Sequence, residues 1–392
     1  MTKNVLILSY SDLSKDVRVL RQVQELGSSY RISTGATVAS GLETGTFIRM
    51  LPEEAFHLGY PVLLRKAFSA WIRGRTAFFL KSGSYESLYW SPHRRRSLKA
   101  LEKVPTDLII ANDIDTLPLA IHLARKHARR PRVIFDAHEF SPGQNDGDAQ
   151  WRKFVKPVNT YLCKTYMPQA DRSFTVSQSI ADAYEELTSV TPLVLTNAPP
   201  YVDQPPVAST RDVIDLVHHG GASPERQTLE LVQMMDLLGP GYRLNLFLFS
   251  GDKAYLQKVR NASIERRNVV FHAAMPTNEI LSVIREFDIG IHMLPPTSFN
   301  HIHAMPNKLF EFIQARLAVA VSPSPDMARL VSENGLGAVA AGYSFKALAD
   351  AIRSLDKKRI AACKRAAHTC ASSLSAEENM ILLRKTVAEL IT

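Results

Sequence analysis

The sequence predicts an α/β protein made of two doubly wound domains facing a cleft. Three observations carry that expectation. Short apolar runs alternate with longer amphipathic stretches, the pattern of strand–helix–strand units around a parallel sheet. The alternation breaks once, at TNAPPYVDQPPVAST (196–210), which holds four prolines and few periodic apolar positions, and then resumes. The 392 residues, at ~100–200 per domain, suffice for a full core in each of two domains.

In the first half, NVLILSY, TDLIIAND, RVIFDAHE and RSFTVS read as buried strands, with DVRVLRQVQEL and TLPLAIHLARKHA as helices between them. In the second half, DVIDLVHHGG, RLNLFLFSGD, NVVFHAAM, DIGIHMLP, LAVAVS and GAVAA read as strands, and AEENMILLRKTVAELI as a closing helix. The resulting division is an N-terminal domain over 1–197, a Pro-rich linker over 198–211 and a C-terminal domain over 212–372. A final helix over 373–392 is expected to return to the first domain. In sheets of this kind ligands bind outside the carboxyl ends of the strands.

Composition narrows the class. With 45% hydrophobic and 22% charged residues, the chain is globular rather than disordered or fibrous. Its three cysteines exclude a disulfide scaffold and match no zinc spacing. No apolar run approaches the ~18 residues of a membrane span, and NVLILSY is too short for a signal-peptide core. The expected location is the cytoplasm or the inner face of a membrane.

The net charge of +9 is concentrated. Between Tyr60 and Ala100 stand nine basic residues and one acid, Glu86, interleaved with aromatic side chains. Leu64, Ala67, Phe68, Trp71 and Ile72 follow the spacing of an amphipathic helix. A basic, aromatic amphipathic segment suits an anionic membrane surface, because apolar burial and attraction to lipid charge add. A core helix with a solvated basic face gives the same pattern. Nucleic acid is not expected, since no recognised binding motif accompanies the patch.

Two segments carry chemistry. In HHGGASPERQTLELV (218–232), Gly220 and Gly221 let backbone approach a ligand closely. Ser223 and Pro224 suit a helix start, and Arg226 falls in its first turn, so the segment can hold an anion. In HAMPNKLFEFIQARLAVAVS (303–322), Pro306 and Asn307 suit a helix start and Lys308 sits in the first turn. Glu311, one turn on, can accept hydrogen bonds from two ribose hydroxyls. Ordinary turns and surface helix residues would look alike at either place.

Read in order, SDLSKDVRVLRQ, DLIIANDIDTLPLA, FDAHE, TVSQSIADAY, GGASPERQ, SGD and MPNKLFEFIQARLAVAVSPSPDMARLV resemble the GT-B-fold glycosyltransferases of the family 4 type. The resemblance spans nearly the whole chain. It implies transfer of a sugar from a nucleotide diphosphate donor to a glycan or lipid-linked acceptor in bacterial surface polysaccharide synthesis. It further implies retention of configuration, no metal and no cofactor beyond the donor itself. By similarity Gly220, Gly221 and Arg226 would meet the diphosphate, with Asn307, Lys308 and the Leu309 amide at its distal end. Glu311 would meet the ribose and His272 the base. His138 in FDAHE would lie against the donor sugar, with Glu139 orienting the acceptor hydroxyl or acting as a base.

The sequence departs from the family in two places. Relatives often carry a Glu eight residues before the second Glu, where this chain has His303, which leaves the donor sugar open. The first loop, Ser-Tyr-Ser-Asp, replaces a common Gly pair. A nucleotide-sugar epimerase on the same architecture and a non-catalytic partner subunit are the alternatives. Two further signals are weaker: Asp113 and Asp115 as an Asp-x-Asp metal motif, and His292, His301 and His303 as zinc ligands.

Overall fold

The computed structural model describes residues 2–51, 74, 76–276 and 279–391. The stretch holding Leu64, Ala67, Phe68, Trp71 and Ile72 lies outside the described residues. The chain divides into two compact units: Met1–Leu195 together with Met380–Thr392, and Thr196–Asn379. The Pro-rich segment after residue 195 belongs to the second unit.

The first unit is built on a sheet of seven strands, all pairs parallel, in the order β3-β2-β1-β4-β5-β6-β7. These are β1 (Asn4–Leu8), β2 (Arg31–Ala36), β3 (Phe47–Arg49), β4 (Leu108–Asn112), β5 (Arg132–Asp136), β6 (Arg172–Thr175) and β7 (Leu193–Val194). β1 and β4 are almost wholly buried, as continuous apolar strands of a sheet covered on both faces should be. The helix Val17–Gly27 is capped by Asp16, whose side chain accepts from the Val19 amide at 3.2 Å. Its Val19, Val23 and Leu26 enter a core with Val5, Ile7 and Ile110. Leu383 and Val387 of the last helix (Ala376–Ile391) join that core.

A buried polar cluster fixes the end of β5. Arg18 donates to both oxygens of Asp136 and, at 3.0 Å, to the Leu195 carbonyl. Gln22 bridges Asp136 and Asn112 at 2.8 and 3.0 Å. Burial opposes charge on Asp136, but Arg18 and His138 together outweigh it and hold the carboxyl below its usual range. The satisfied pair thereby locks β4, β5 and the first helix in one register.

The second unit repeats the plan with six parallel strands in the order β10-β9-β8-β11-β12-β13. They are β8 (Ile214–Gly221), β9 (Tyr242–Phe249), β10 (Val269–His272), β11 (Ile289–His292), β12 (Ala318–Val321) and β13 (Gly337–Val339). The helix Asn307–Gln314 lies against this sheet through Phe310, Phe312 and Ile313. Gly290 makes the approach possible: a Cβ there would sit 2.3 Å from the Phe312 ring. Among the described residues no helix is long and apolar enough to cross a membrane.

Both strand orders reverse direction at one point, between β1 and β4 and between β8 and β11. These switch points are where doubly wound sheets open a crevice for ligands.

Candidate functional site

At the switch point of the second unit, β8 ends in His218, His219, Gly220 and Gly221. Gly220 has φ +111°, a conformation that excludes most side chains, and a Cβ on it would lie 2.8 Å from Lys308 Cε and 2.9 Å from Nζ. The lysine therefore crosses directly over the glycine. A Cβ on Gly221 would lie 3.9 Å from Arg226 Nη1. Two cations thus stand over two consecutive glycines.

Arg226 reaches this place by a different route from the one expected. Pro224–Arg226 is a single 3-10 turn, closed by the Gln227 amide donating to the Pro224 carbonyl at 2.9 Å. Gln227 is left-handed, at φ 50°, so the α-helix begins only at Thr228. Ser223 makes no capping bond. Arg226 lies in that turn rather than in the first turn of an α-helix.

Lys308 and Glu311 come from the helix Asn307–Gln314, one turn apart on one face. Burial lowers the Lys308 pKa, Arg226 lowers it further and Glu311 opposes them, leaving it at about 8. Glu311 is 9% exposed, and its Oε2 lies 3.3 Å from His219 Nε2. Burial, with Lys308 and His218 adding, pushes the His219 pKa down to about 3. His218 is pushed to about 3 by burial and Lys308. The crevice is therefore cationic through Arg226 and Lys308, with neutral imidazoles beneath them.

The other expected residues fall differently. Asn307 is exposed at the helix start. The Leu309 amide donates to the Pro306 carbonyl at 3.0 Å. His272 closes β10, two strands from β8; it stacks on Phe247 with 4.4 Å between centroids, and its Nε2 meets Asn245 Oδ1 at 3.0 Å. His272, Phe247 and His219 occupy one row across the sheet.

The three histidines weighed as zinc ligands go to separate partners. His292 is buried beside His218, with ring centroids 6.4 Å apart. His301 Nδ1 meets Thr297 Oγ1 at 2.6 Å. His303 packs on Phe299 at 4.3 Å. Among the described residues no group of three or more His, Cys, Asp or Glu could hold a metal ion. Asp113 and Asp115 also diverge, Asp115 pairing with Arg94 at 2.8 Å.

At the switch point of the first unit lies a cavity of about 410 Å³, lined among others by Ser9, Tyr10, Asn112, Asp113, Glu139 and Ser141. Asp113 (φ 64°) and His138 (φ 51°) both hold left-handed backbone, a strain of ~1–3 kcal/mol each that tends to collect at functional sites. Asp113 Oδ1 lies 3.0 Å from His138 Nδ1. The carboxylate can only accept, so Nδ1 carries the proton. Burial and Arg18 work against a charged His138, but Asp113 and Asp136 outweigh them and raise its pKa. His138 Nε2 has no hydrogen-bond partner among the described residues. The Glu139 carbonyl accepts from Tyr184 at 2.7 Å, which fixes the loop.

Sequence reasoning passed over His218, His219 and Asp113 as site residues. The first two read as the end of an apolar strand, and Asp113 as half of a metal motif. A signal was present in β8, where two adjacent histidines interrupt a strand buried on both faces.

The fold matches solved structures over its whole length. HepE from Anabaena, crystallised with UDP-glucose, is 14% identical, with 99% of this chain and all of that one covered and a TM-score of 0.67. Sucrose-phosphate synthase from Thermosynechococcus elongatus is 13% identical over 99% of each chain, with a TM-score of 0.68. A glycosyltransferase from Rickettsia africae is 12% identical, covering 100% of this chain and 99% of that one, at 0.68. No protein-family model and no curated protein matches the chain. At such identities the likeness establishes the GT-B fold.

Proposed function

We propose that the protein is a glycosyltransferase whose second unit binds a nucleotide diphosphate sugar. One observation carries the reading: Lys308 and Arg226 converge over Gly220 and Gly221, with Glu311 one helical turn away. A lysine that loses basicity through burial and then through a neighbouring arginine is a poor arrangement for stability and a good one for a pyrophosphate. Glu311 accepts the ribose hydroxyls. His272, ~10 Å out along the row at the usual strand spacing, faces the base. That HepE was crystallised with UDP-glucose supports a nucleotide-sugar donor.

As the glycosidic bond breaks, negative charge grows on the departing diphosphate, where oriented cations in a sheltered site act most strongly. Arg226 and Lys308 supply that charge, without need of a metal. His138, aligned by Asp113, lies against the donor sugar in this reading, and Glu139 orients the acceptor hydroxyl. The transfer proceeds with retention, onto a glycan or lipid-linked acceptor of a bacterial surface polysaccharide. An acceptor in an anionic membrane suits the described part of the basic segment. There Arg95, Arg96 and Lys99 stand exposed on the helix Pro92–Leu101, and Phe78 is exposed before it.

A thermal-shift panel of nucleotide diphosphate sugars tests the donor reading. At least one should raise the melting temperature by mass action, and Lys308→Ala and Glu311→Ala should cancel the rise while remaining folded. A folded Glu311→Ala enzyme with full turnover removes the ribose role.

A further inference from the structure

We propose that His292, with His218 beside it, is a diphosphate-responsive element: when a nucleoside diphosphate enters beside Lys308 and Arg226, it takes a proton from solvent and offers a ring N–H to the ligand. The inference rests on the donor reading above and adds residues that reading does not use.

His292 ends β11, the strand next to β8 at the switch point. It is 5% exposed, and neither ring nitrogen has a hydrogen-bond partner among the described residues. A buried imidazole in a purely structural role normally engages one nitrogen, as His218 does: its Nδ1 lies 2.9 Å from the Ile291 carbonyl. A carbonyl only accepts, so His218 carries its proton on Nδ1 and keeps a bare lone pair on Nε2. The two rings lie nearly parallel, 7° apart. A well-packed apolar residue at position 292 would avoid the cost of two unmade hydrogen bonds. The position instead holds a group able to gain a donor.

The charges around the pair come from every element packed against it. The helix Asn307–Gln314 brings Lys308 and Glu311, the turn Pro224–Arg226 brings Arg226, and β8 brings His218 and His219. His301 also feels Arg226. Burial, then Lys308, His218, Arg226 and His219, keep His292 neutral without a ligand. The two negative charges of a nucleotide sugar's diphosphate offset the two cations in that field. An opposite charge within ~4–6 Å favours the charged imidazole by ~1–3 pKa units, the opposite direction to the push His292 receives without a ligand. Protonation then follows occupancy, and binding tightens as pH falls.

Calorimetric titration with UDP-glucose at pH 6, in two buffers of different ionisation enthalpy, counts the protons taken up. This probe has no ionisation of its own near that pH. Lys308, with its pKa of about 8, is already charged and contributes on the order of one hundredth of a proton. The expected result is net proton uptake on binding that grows as pH falls, with affinity rising about threefold from pH 7 to 5.5. His292→Gln, which keeps an amide but cannot protonate, should abolish most of the uptake. If that variant does not fold, the wild-type proton count decides. Binding with no net uptake and a flat affinity from pH 7 to 5.5 overturns the inference and leaves the donor reading standing. Full uptake persisting in a folded His292→Gln protein overturns it equally. ADP-glucose and GDP-mannose run alongside, and failure of all three to bind withdraws the donor reading and this inference with it.

Discussion

Both units hold histidines at the carboxyl ends of strands close to where the strand order reverses, on β8 and β11 in one and after β5 in the other, and their surroundings push them in opposite directions. In the second unit His218, His219 and His292 sit at the ends of β8 and β11, depressed by burial and by Lys308. In the first, His138 follows β5 and is raised, because Asp113 and Asp136 outweigh burial and Arg18. The difference teaches that position at a switch point makes a site, while the nearest charges decide its chemistry. One site is cationic, through Lys308 and Arg226. The other holds an imidazole that stays protonated on Nδ1 and presents Nε2.

The sharpest way to break that comparison is to remove a cation from the second unit. Arg226→Ala should lower kcat/KM for the nucleotide sugar by about 10²–10³-fold, the usual cost of losing a donor to a developing oxyanion. A folded variant with undiminished turnover would show that the convergence over Gly220 and Gly221 serves something else.

In the first unit, Asp113→Asn removes the charge that favours the His138 cation but leaves an acceptor for Nδ1. The His138 pKa, followed by its imidazole NMR signals, should fall by about 1–2 units, with turnover dropping ~10-fold at neutral pH. An unmoved titration would assign the raised pKa to Asp136 alone.

The smallest effect concerns stability against pH, and here the two units differ in sign. His218 and His219 have folded values near 3, below the ~6.5 of the unfolded chain. Below pH 6.5 the unfolded state binds more protons, so their contribution weakens as pH falls, with a slope approaching ~1.4 kcal/mol per pH unit for each. His138 has a raised folded value. Its contribution is complete below pH 6.5 and is lost as pH rises through that folded value. Denaturant melts between pH 7 and 4.5, read by signals from each unit, should show the second unit weakening first. Weakening of the first unit alone would reverse the comparison.

Much of the fold was legible in the sequence. The apolar runs expected as strands appear as β1, β4, β5, β6 and β8 to β13, because strands buried on both faces must be apolar throughout. β2, β3 and β7 were not legible. RISTGA carries Ser33, Thr34 and Gly35 in its middle, and β3 and β7 hold three and two residues, too few for any period to show. Within the candidate site, the glycine pair, Arg226, Lys308 and Glu311 stood out as residue types suited to an anion and a ribose. The 3-10 turn before Thr228 did not, because Ser-Pro-Glu-Arg reads equally well as an α-helical start.

The sequence by itself determined two parallel α/β sheets, the Pro-rich break between their strand sets, and the residue types at the strand and helix ends that suit an anion. Periodicity and residue chemistry are local properties, so they survive without coordinates. Tertiary structure alone decided which of those residues meet. It set Lys308 over Gly220, paired Asp113 with His138 rather than with Asp115 around a metal, and drew His292 away from His301 and His303 to the side of His218. The reason is physical: strand order and register bring together side chains far apart in the chain, and burial then sets their charges, neither of which a linear pattern encodes.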